Sequence, residues 1–400
     1  MRKIWVLVLI VGTSFVPYAR AGQEAKPQET APRHRVLNLS LFYPVSLNRS
    51  KQDTANLSLS LLYGHLGSVR GLDLCLGVAA LERSLEGVQL AGLIAAAGES
   101  MKGGQMAGLL CVAGDRGEGI QMAGLGSVGG EEFSGLQAAG LFAVAGERLK
   151  GAQFSGLFGV AGESTKGLQV SGLFSVAGDQ LDGIQIAGLF NVAGEDSRAL
   201  QVAGVMNVTG GTCRGLQIGL FNVAGRLTGV QIGLVNAAEE IEGLPIGLVN
   251  LTRKEDRRIQ MAAWAGSVSL FNAGVKIWAK RFYSVLYAGT VNLTQDEHDC
   301  LAYGFQYGYA FPLRASGGGG GRKRIDVDVG YLYFDNSTLF RRLKGTPDRH
   351  VYSVRGALAV ELSKQLSLVG GVGLGYRVNY GTSFSGGSLF PLVFVGLELF

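Results

Sequence analysis

The residues that most often do chemistry are few and dispersed. His34, His65, His298 and His350 lie far apart in the chain, and no two share a metal-ligand spacing. Cys75, Cys111, Cys213 and Cys300 form no Cys-x-x-Cys pair, which argues against a zinc site. In an exported chain an even cysteine count permits disulfides. Cys213 and Cys300 both fall in connections and are the two that can pair; the other reading is four small buried residues. Gly317 to Gly321 with Arg322-Lys323-Arg324 lacks the Lys-Ser/Thr of a phosphate loop and reads as a flexible loop. No Gly-x-Ser-x-Gly occurs, and a small-barrel hydrolase would have only His298 and His350 to draw on in the aromatic part of the chain. No catalytic, metal or cofactor-binding residue is expected, and the chain reads as a non-enzyme.

One polar series has a usable spacing. Gln89, Gln105, Gln121, Gln137, Gln153, Gln169, Gln185, Gln201 and Gln217 recur every 16 residues, and Gln231 follows after 14. On stacked strands such residues form an amide ladder with rungs about 4.8 Å apart. The ladder is expected on the surface, where it either binds a polymer or flat surface or is simply solvated. Asn191, Asn207, Asn222, Asn236 and Asn250 predict a second ladder.

The element that must carry these residues is a tandem repeat. Its unit reads Gly-apolar-Gln-apolar-Ala/Ser-Gly-Leu-apolar-small-Val-Ala-Gly-Glu/Asp plus three variable residues, as in 167–178 (GLQVSGLFSVAG). Nine 16-residue units fill 71–214, two 14-residue units follow at 215–228 and 229–242, and a partial unit ends near Thr252. Such a period outranks local propensity. Each unit's glycines would cost a helix about 1 kcal/mol apiece relative to alanine, whereas strands with tight corners use the positive φ that Gly adopts freely.

Two β arrangements fit. In one, each unit is a coil of a β-solenoid, with Leu168, Val170, Phe174 and Val176 inward and Gln169 outward. In the other, each unit is a strand of one large transmembrane barrel, a channel or transport pore. Three features favour the coil. Barrel strands alternate in direction, yet the turns show no alternation over two units. Residues 71–258 hold no Tyr or Trp for an aromatic girdle. The 14-residue units lose one residue at each of two corners, which tightens a coil but would swap the faces of a strand. Eleven coils predict a rod of roughly 50 Å.

Composition changes near residue 259: ten of the 13 tyrosines, with Trp264 and Trp278, lie beyond it. Alternation there is strict. Leu301, Tyr303, Phe305, Tyr307, Tyr309 and Phe311 share one face, and Ala302, Gly304, Gln306, Gly308 and Ala310 the other. An apolar, aromatic face opposite a small, polar one is the pattern of lipid-out, lumen-in strands; the other reading is a soluble sandwich whose apolar face is its core, and lengths of 11 to 15 residues, beyond the usual five or six, favour the membrane. Asp326, Arg355, Glu361 and Arg377 then either line a lumen or pair with one another inside a plugged barrel. Leu37, Leu39 and Leu41 against Asn38 and Ser40 show the same pattern, so 35–70 is expected to supply the first barrel strands. The ending Val395-Gly396-Leu397-Glu398-Leu399-Phe400 resembles the insertion signal of bacterial outer-membrane barrels, with Glu398 where an aromatic residue is usual.

Export follows from the first residues. Arg2 and Lys3 precede the apolar stretch Ile4 to Val16, and Ala19-Arg20-Ala21 is a cleavage site, so 1–21 reads as a signal peptide and 22–34 as a flexible leader. The net charge of +5 falls to +2 without Arg2, Lys3 and Arg20, which argues against a nucleic-acid partner. With 47% apolar and 17% charged residues the chain is neither disordered nor, lacking a strict Gly period, collagenous.

Residues 215–224 (GLQIGLFNVA) and 229–238 (GVQIGLVNAA) resemble the GLQ-x-GL-x-N repeats of bacterial surface repeat-containing proteins of spirochaetes and other Gram-negative groups. The resemblance covers about 71–252; early units such as Gly103-Gly104-Gln105-Met106 share it by period more than by motif. It implies export to the cell surface and brings no activity, cofactor or catalytic residue. The expected fold is all-β: a Gly-rich solenoid over 71–252 combined with an antiparallel outer-membrane-type barrel from 35–70 and 253–400. The expected function is a non-catalytic outer-membrane or surface protein presenting a repetitive β surface, adhesive or structural. Its expected partners are outer-membrane lipid and an extracellular or envelope ligand. The alternative is the channel.

Overall fold

The computed structural model describes residues 33–47, 52–253, 259–291, 300–313, 322–335, 337–338, 341–342, 348–363, 365–380 and 385–399. Residues 1–21, expected to be a signal peptide, nearly all of the expected leader, His298, Gly317 to Gly321 and Phe400 lie outside the described residues. Apart from a two-stranded ribbon of Ser337–Thr338 and Arg341–Arg342, the described strands form two bodies, a solenoid from His34 to Thr252 and a closed barrel from Ile259 to Leu399.

Between Ile94 and Ala203 each solenoid coil supplies a long strand and a short one, such as Arg148–Ser155 and Phe158–Ala161. Both pair in parallel with their counterparts in adjacent coils, like residue on like: Gln153 lies between Gln137 and Gln169, and Phe158 between Phe142 and Phe174. This parallel stacking overturns the channel reading, in which the units would run alternately up and down. Two residues before the Gln, the long strand bends at a glycine whose φ lies between 120° and 138° in every coil from Gly71 to Gly183. A Cβ at Gly151 would also sit 2.2 Å from the carbonyl oxygen of Gly135. Gly151→Ala is therefore expected to destabilise the detergent-solubilised protein by about 1–3 kcal/mol from backbone strain alone, read as a lower urea midpoint. At the rung after Gly183 the paired residue is Ala199, and there the positive φ is gone.

The faces of the coil are the reverse of the expected ones. Gln169 is fully buried, while Phe174 is 36% exposed and Leu168 and Val170 are partly exposed. The residues that share the interior with Gln153 explain this: Ser155, Gly159 and Ala161 are small, so the section is too narrow for Phe or Leu across from one another. A side chain whose amide bonds to its counterparts in the adjacent coils fits there, and the bulky residues turn out. The bend near the charged strip keeps a large apolar interior column, including Leu85, Met101, Phe133 and Leu149.

The strands expected to open the barrel are instead the first rungs. His34–Phe42 pairs in parallel with Thr54–Cys75, which pairs in parallel with Val78–Ala91. Up-and-down barrels have antiparallel neighbours, so these strands are excluded from it. Leu37, Leu39 and Leu41 face out and Asn38 and Ser40 in, an alternation common to both bodies. The solenoid thus has about 13 turns, not eleven. At its free end Val45–Ser46 folds back antiparallel on His34–Phe42.

The barrel has eight antiparallel strands: Ile259–Gly266, Phe271–Ala279, Phe282–Val291, Cys300–Leu313, Lys323–Asp335, Asp348–Glu361, Leu366–Tyr380 and Ser385–Leu399. It closes by pairing Met261 with Leu399. The alternation read from the sequence holds: Tyr303 and Phe311 are exposed outward, and Ala302, Gln306 and Ala310 are buried in the lumen. The strand ends at Ala279, Leu313 and Glu361 share one rim with the entry from the solenoid; those at Gly266, Val291 and Asp335 share the other.

Candidate functional site

The glutamine ladder is continuous and directional. From Gln105 to Gln231 each Nε2 donates to Oε1 of the preceding Gln at 2.8–3.0 Å. The second Nε2 hydrogen commonly crosses the interior to a short-strand carbonyl, as from Gln153 to Val160 and from Gln169 to Val176. Both donors and one acceptor of the amide are thus used. The asparagine ladder runs the other way: Asn191 donates to Asn207, then Asn222, Asn236 and Asn250, each at 2.9 Å. The two rows of amide dipoles oppose each other along the rod. A ladder open at one end leaves one unmatched acceptor, and Asn191 Oδ1 and Gln231 Oε1 are the two; beyond Gln231 the column reaches Pro245. The proposed surface ladder of Gln89 through Gln231 is therefore an internal spine.

At the other end the spine terminates on a carboxylate. Gln89 Nε2 donates to Asp73 Oδ2 at 3.0 Å. Asp73 lies one period before Gln89, and that spacing was the sequence signal for it. Burial raises the Asp73 pKa, with hydrogen bonds from Gln89 and Ser58 opposing the shift. A carboxyl raised in the folded state makes stability fall as pH rises from its unfolded value through its folded one. Asp73→Asn keeps an acceptor for Gln89 and carries no charge. It is expected to raise the thermal midpoint at neutral pH, with the gain vanishing below the unfolded carboxyl pKa.

Three of the four cysteines are free. Cys75, Cys111 and Cys213 are buried free thiols. Cys213 packs with Leu227 and Ile241 inside the last coils, so the possible bond to Cys300 is not made. Burial pushes the Cys111 thiol up to about 12.

Outside, the solenoid is two-sided. Outward residues before the bend are charged and form inter-coil pairs, including Arg70–Glu86 at 3.4 Å, Lys150–Glu132 at 2.5 Å and Arg226–Glu240 at 2.6 Å. The Lys150 hydrogen bond lowers the Glu132 pKa. Pairs this exposed contribute about 0–1 kcal/mol each, so the strip sets polarity more than stability. After the bend the outward columns are apolar, apart from Tyr63 and His65 in the first rungs, through a corner ridge that includes Leu93, Leu109, Leu125 and Leu141 and on to Phe158 and Val160. Part of this surface is an open groove of about 1450 Å³ in which Leu39, Leu41 and Val45 face Leu90, Met106 and Phe154.

The last coil stacks on the outer wall of the barrel. Ser284 alternates with the lumen residues Tyr283 and Val285, so it points outward, yet it is 1% exposed. Its Oγ donates to Gly247 O at 3.1 Å and accepts from Asn250 Nδ2 at 3.3 Å. Tyr307 Oη donates to Pro245 O. Lys280 Nζ, in the two-residue turn at the rim, donates to Ile241 O at 2.9 Å. Ala279 and Phe282 close the apolar end of the coil interior.

The lumen is filled. Lys276 Nζ reaches Asp326 and Glu398 at 2.8 Å each, and Arg324 joins the same two carboxylates. Arg355 holds Asp328 with two bonds, and Tyr283 donates to Asp328 at 3.0 Å. Trp278 and Tyr283 flank Lys276. Cavities beside these groups measure only about 40 and 50 Å³. Of the residues assigned to the lumen, Asp326 and Arg355 are in this network, Arg377 stacks on Phe390, and Glu361 lines a rim cavity with Arg322 and Arg324. Glu398 departs from an aromatic pattern because it faces inward to Lys276. Among the described residues no three His, Cys, Asp or Glu form a group able to hold a metal.

Fold and surfaces together define an all-β protein of two parts, a polar-cored solenoid docked side-on to a filled, apolar-out barrel. No family model matches the chain, and no curated protein matches it. A solved structure that is similar to it is the crystal structure of the N-terminal beta-barrel domain of Pseudomonas aeruginosa OprF, at 13% identity, over 35% of this chain and 96% of that one, with a TM-score of 0.23.

Proposed function

We propose that the protein is an exported, non-catalytic component of the bacterial outer membrane, in which the barrel is the anchor and the solenoid a structural repeat element. The observation that carries this is the barrel's polarity. Val327, Val329, Tyr352, Val354, Leu374 and Val393 are outward and exposed, while three cations and three carboxylates pair inside. A closed sheet leaves no backbone edge for lipid to meet. The signal-like N-terminus and the repeat resemblance support the same compartment. A structural role is favoured over adhesion because the amide spine is internal.

The test is membrane fractionation of the expressed chain followed by planar-bilayer recording. Sedimentation with the outer membrane, release by detergent but not by alkaline carbonate, and no large open-pore current are expected. Recovery in the soluble periplasmic fraction, or a sustained large conductance, would overturn the reading.

A further inference from the structure

We propose that the solenoid is a membrane wedge. Its apolar walls and leucine ridge lie among the acyl chains of one leaflet, and its charged strip faces water. The proposal rests on the barrel being membrane-inserted, and three independent features of the junction and the rod support it.

The first is direction. The terminal coil lies flat on the barrel's outward face, and coils stack along the normal to their own plane. The rod therefore leaves the barrel wall sideways, along the membrane plane.

The second is depth. Ile241 ends the interior column beside the charged strip, and it meets Lys280 at the rim turn. Gly247 and Asn250, near the ridge, meet Ser284, four residues further along the strand. At about 3.4 Å per residue the ridge lies roughly 10 Å deeper into the barrel's apolar band than the strip, allowing for strand tilt. The orientation that docking imposes is thus the one an amphipathic body needs at an interface. Leu286, exposed outward two residues beyond Ser284, makes the barrel's apolar face continuous with the rod's.

The third is backbone satisfaction. Every interior coil pairs on both sides with its neighbours, so its lateral walls offer lipid no unpaired ladder. Side chains such as Leu93 (47% exposed) and Phe154 (40% exposed) would face water on a free-standing rod. Here the groove beside them takes lipid chains.

The test uses the full chain in phosphatidylcholine vesicles whose acyl chains carry bromine, a quencher of tryptophan fluorescence. Three variants are compared with the parent, whose Trp264 and Trp278 supply the background. Leu374→Trp probes the barrel exterior, Leu141→Trp the ridge and Lys150→Trp the charged strip; Phe158→Trp replaces the ridge probe if that variant does not fold. Quenching of the barrel and ridge probes by at least about twofold, with the strip probe nearly unquenched, is expected for an interfacial wedge. A quenched barrel probe with an unquenched ridge probe overturns the wedge and leaves the anchor intact. Equal quenching of ridge and strip also overturns it. An unquenched barrel probe overturns the anchor, and the wedge with it.

Discussion

Gln153→Glu is expected to destabilise the protein by about 3–5 kcal/mol at neutral pH, the range seen when a buried charge loses its partner. Gln153 has no exposed surface, and it donates to Gln137 Oε1 at 2.8 Å while accepting from Gln169 Nε2 at 2.8 Å. An ionised carboxylate in its place keeps the second contact, but it turns an oxygen toward the Gln137 acceptor with no water to separate them. Protonation of that carboxylate restores the donor. The folded-state pKa of the new carboxyl therefore lies above its unfolded value, and the protein binds more protons folded than unfolded. The penalty is smallest below the unfolded carboxyl pKa, grows as pH rises through the folded one, and is constant above it. Urea unfolding in detergent across pH 4 to 8 measures this directly. A midpoint that matches the parent at every pH would show that the amide spine contributes nothing.

Lys276→Met is the second large perturbation. Lys276 is 3% exposed and holds two carboxylates, each at 2.8 Å. Its loss leaves Asp326 and Glu398 sharing Arg324 alone, and a carboxylate is then uncompensated in the lumen. The expected cost is again about 3–5 kcal/mol. Lys276→Met with Glu398→Gln restores charge balance, so the double variant should be more stable than Lys276→Met alone. A positive coupling in that cycle separates charge pairing from simple loss of packing around Trp278 and Tyr283.

Much of this architecture is legible in the sequence, and the errors have one source. Periodicity reports register, so the Gln and Asn columns, the parallel coils and the aromatic barrel strands all follow from counting. Alternation reports two faces but not which medium each meets. Reading Phe174 and Val176 as interior assumed a rod in water. The small residues on the Gln face, Ser171, Ser175 and Ala177, were the contrary signal, because only small side chains leave room for a row of amides. The same ambiguity misplaced Leu37, Leu39 and Leu41: apolar-out, polar-in strands serve a barrel and this solenoid equally. The junction at Ser284 had no signal, since nothing in a lone outward serine foretells that a coil will cover it.

The identical rungs have a consequence for length. Excising residues 135–150 would join two positions that already stack on each other, Gly135 with Gly151 and Gln137 with Gln153. The rod would shorten by one step of about 4.8 Å, while the hairpin at one tip and the barrel at the other kept their contacts. Copy number is thus free to drift as the gene gains or loses whole units. Reach from the anchor becomes an inherited, adjustable dimension, and every extra unit extends an amide chain that is already in place.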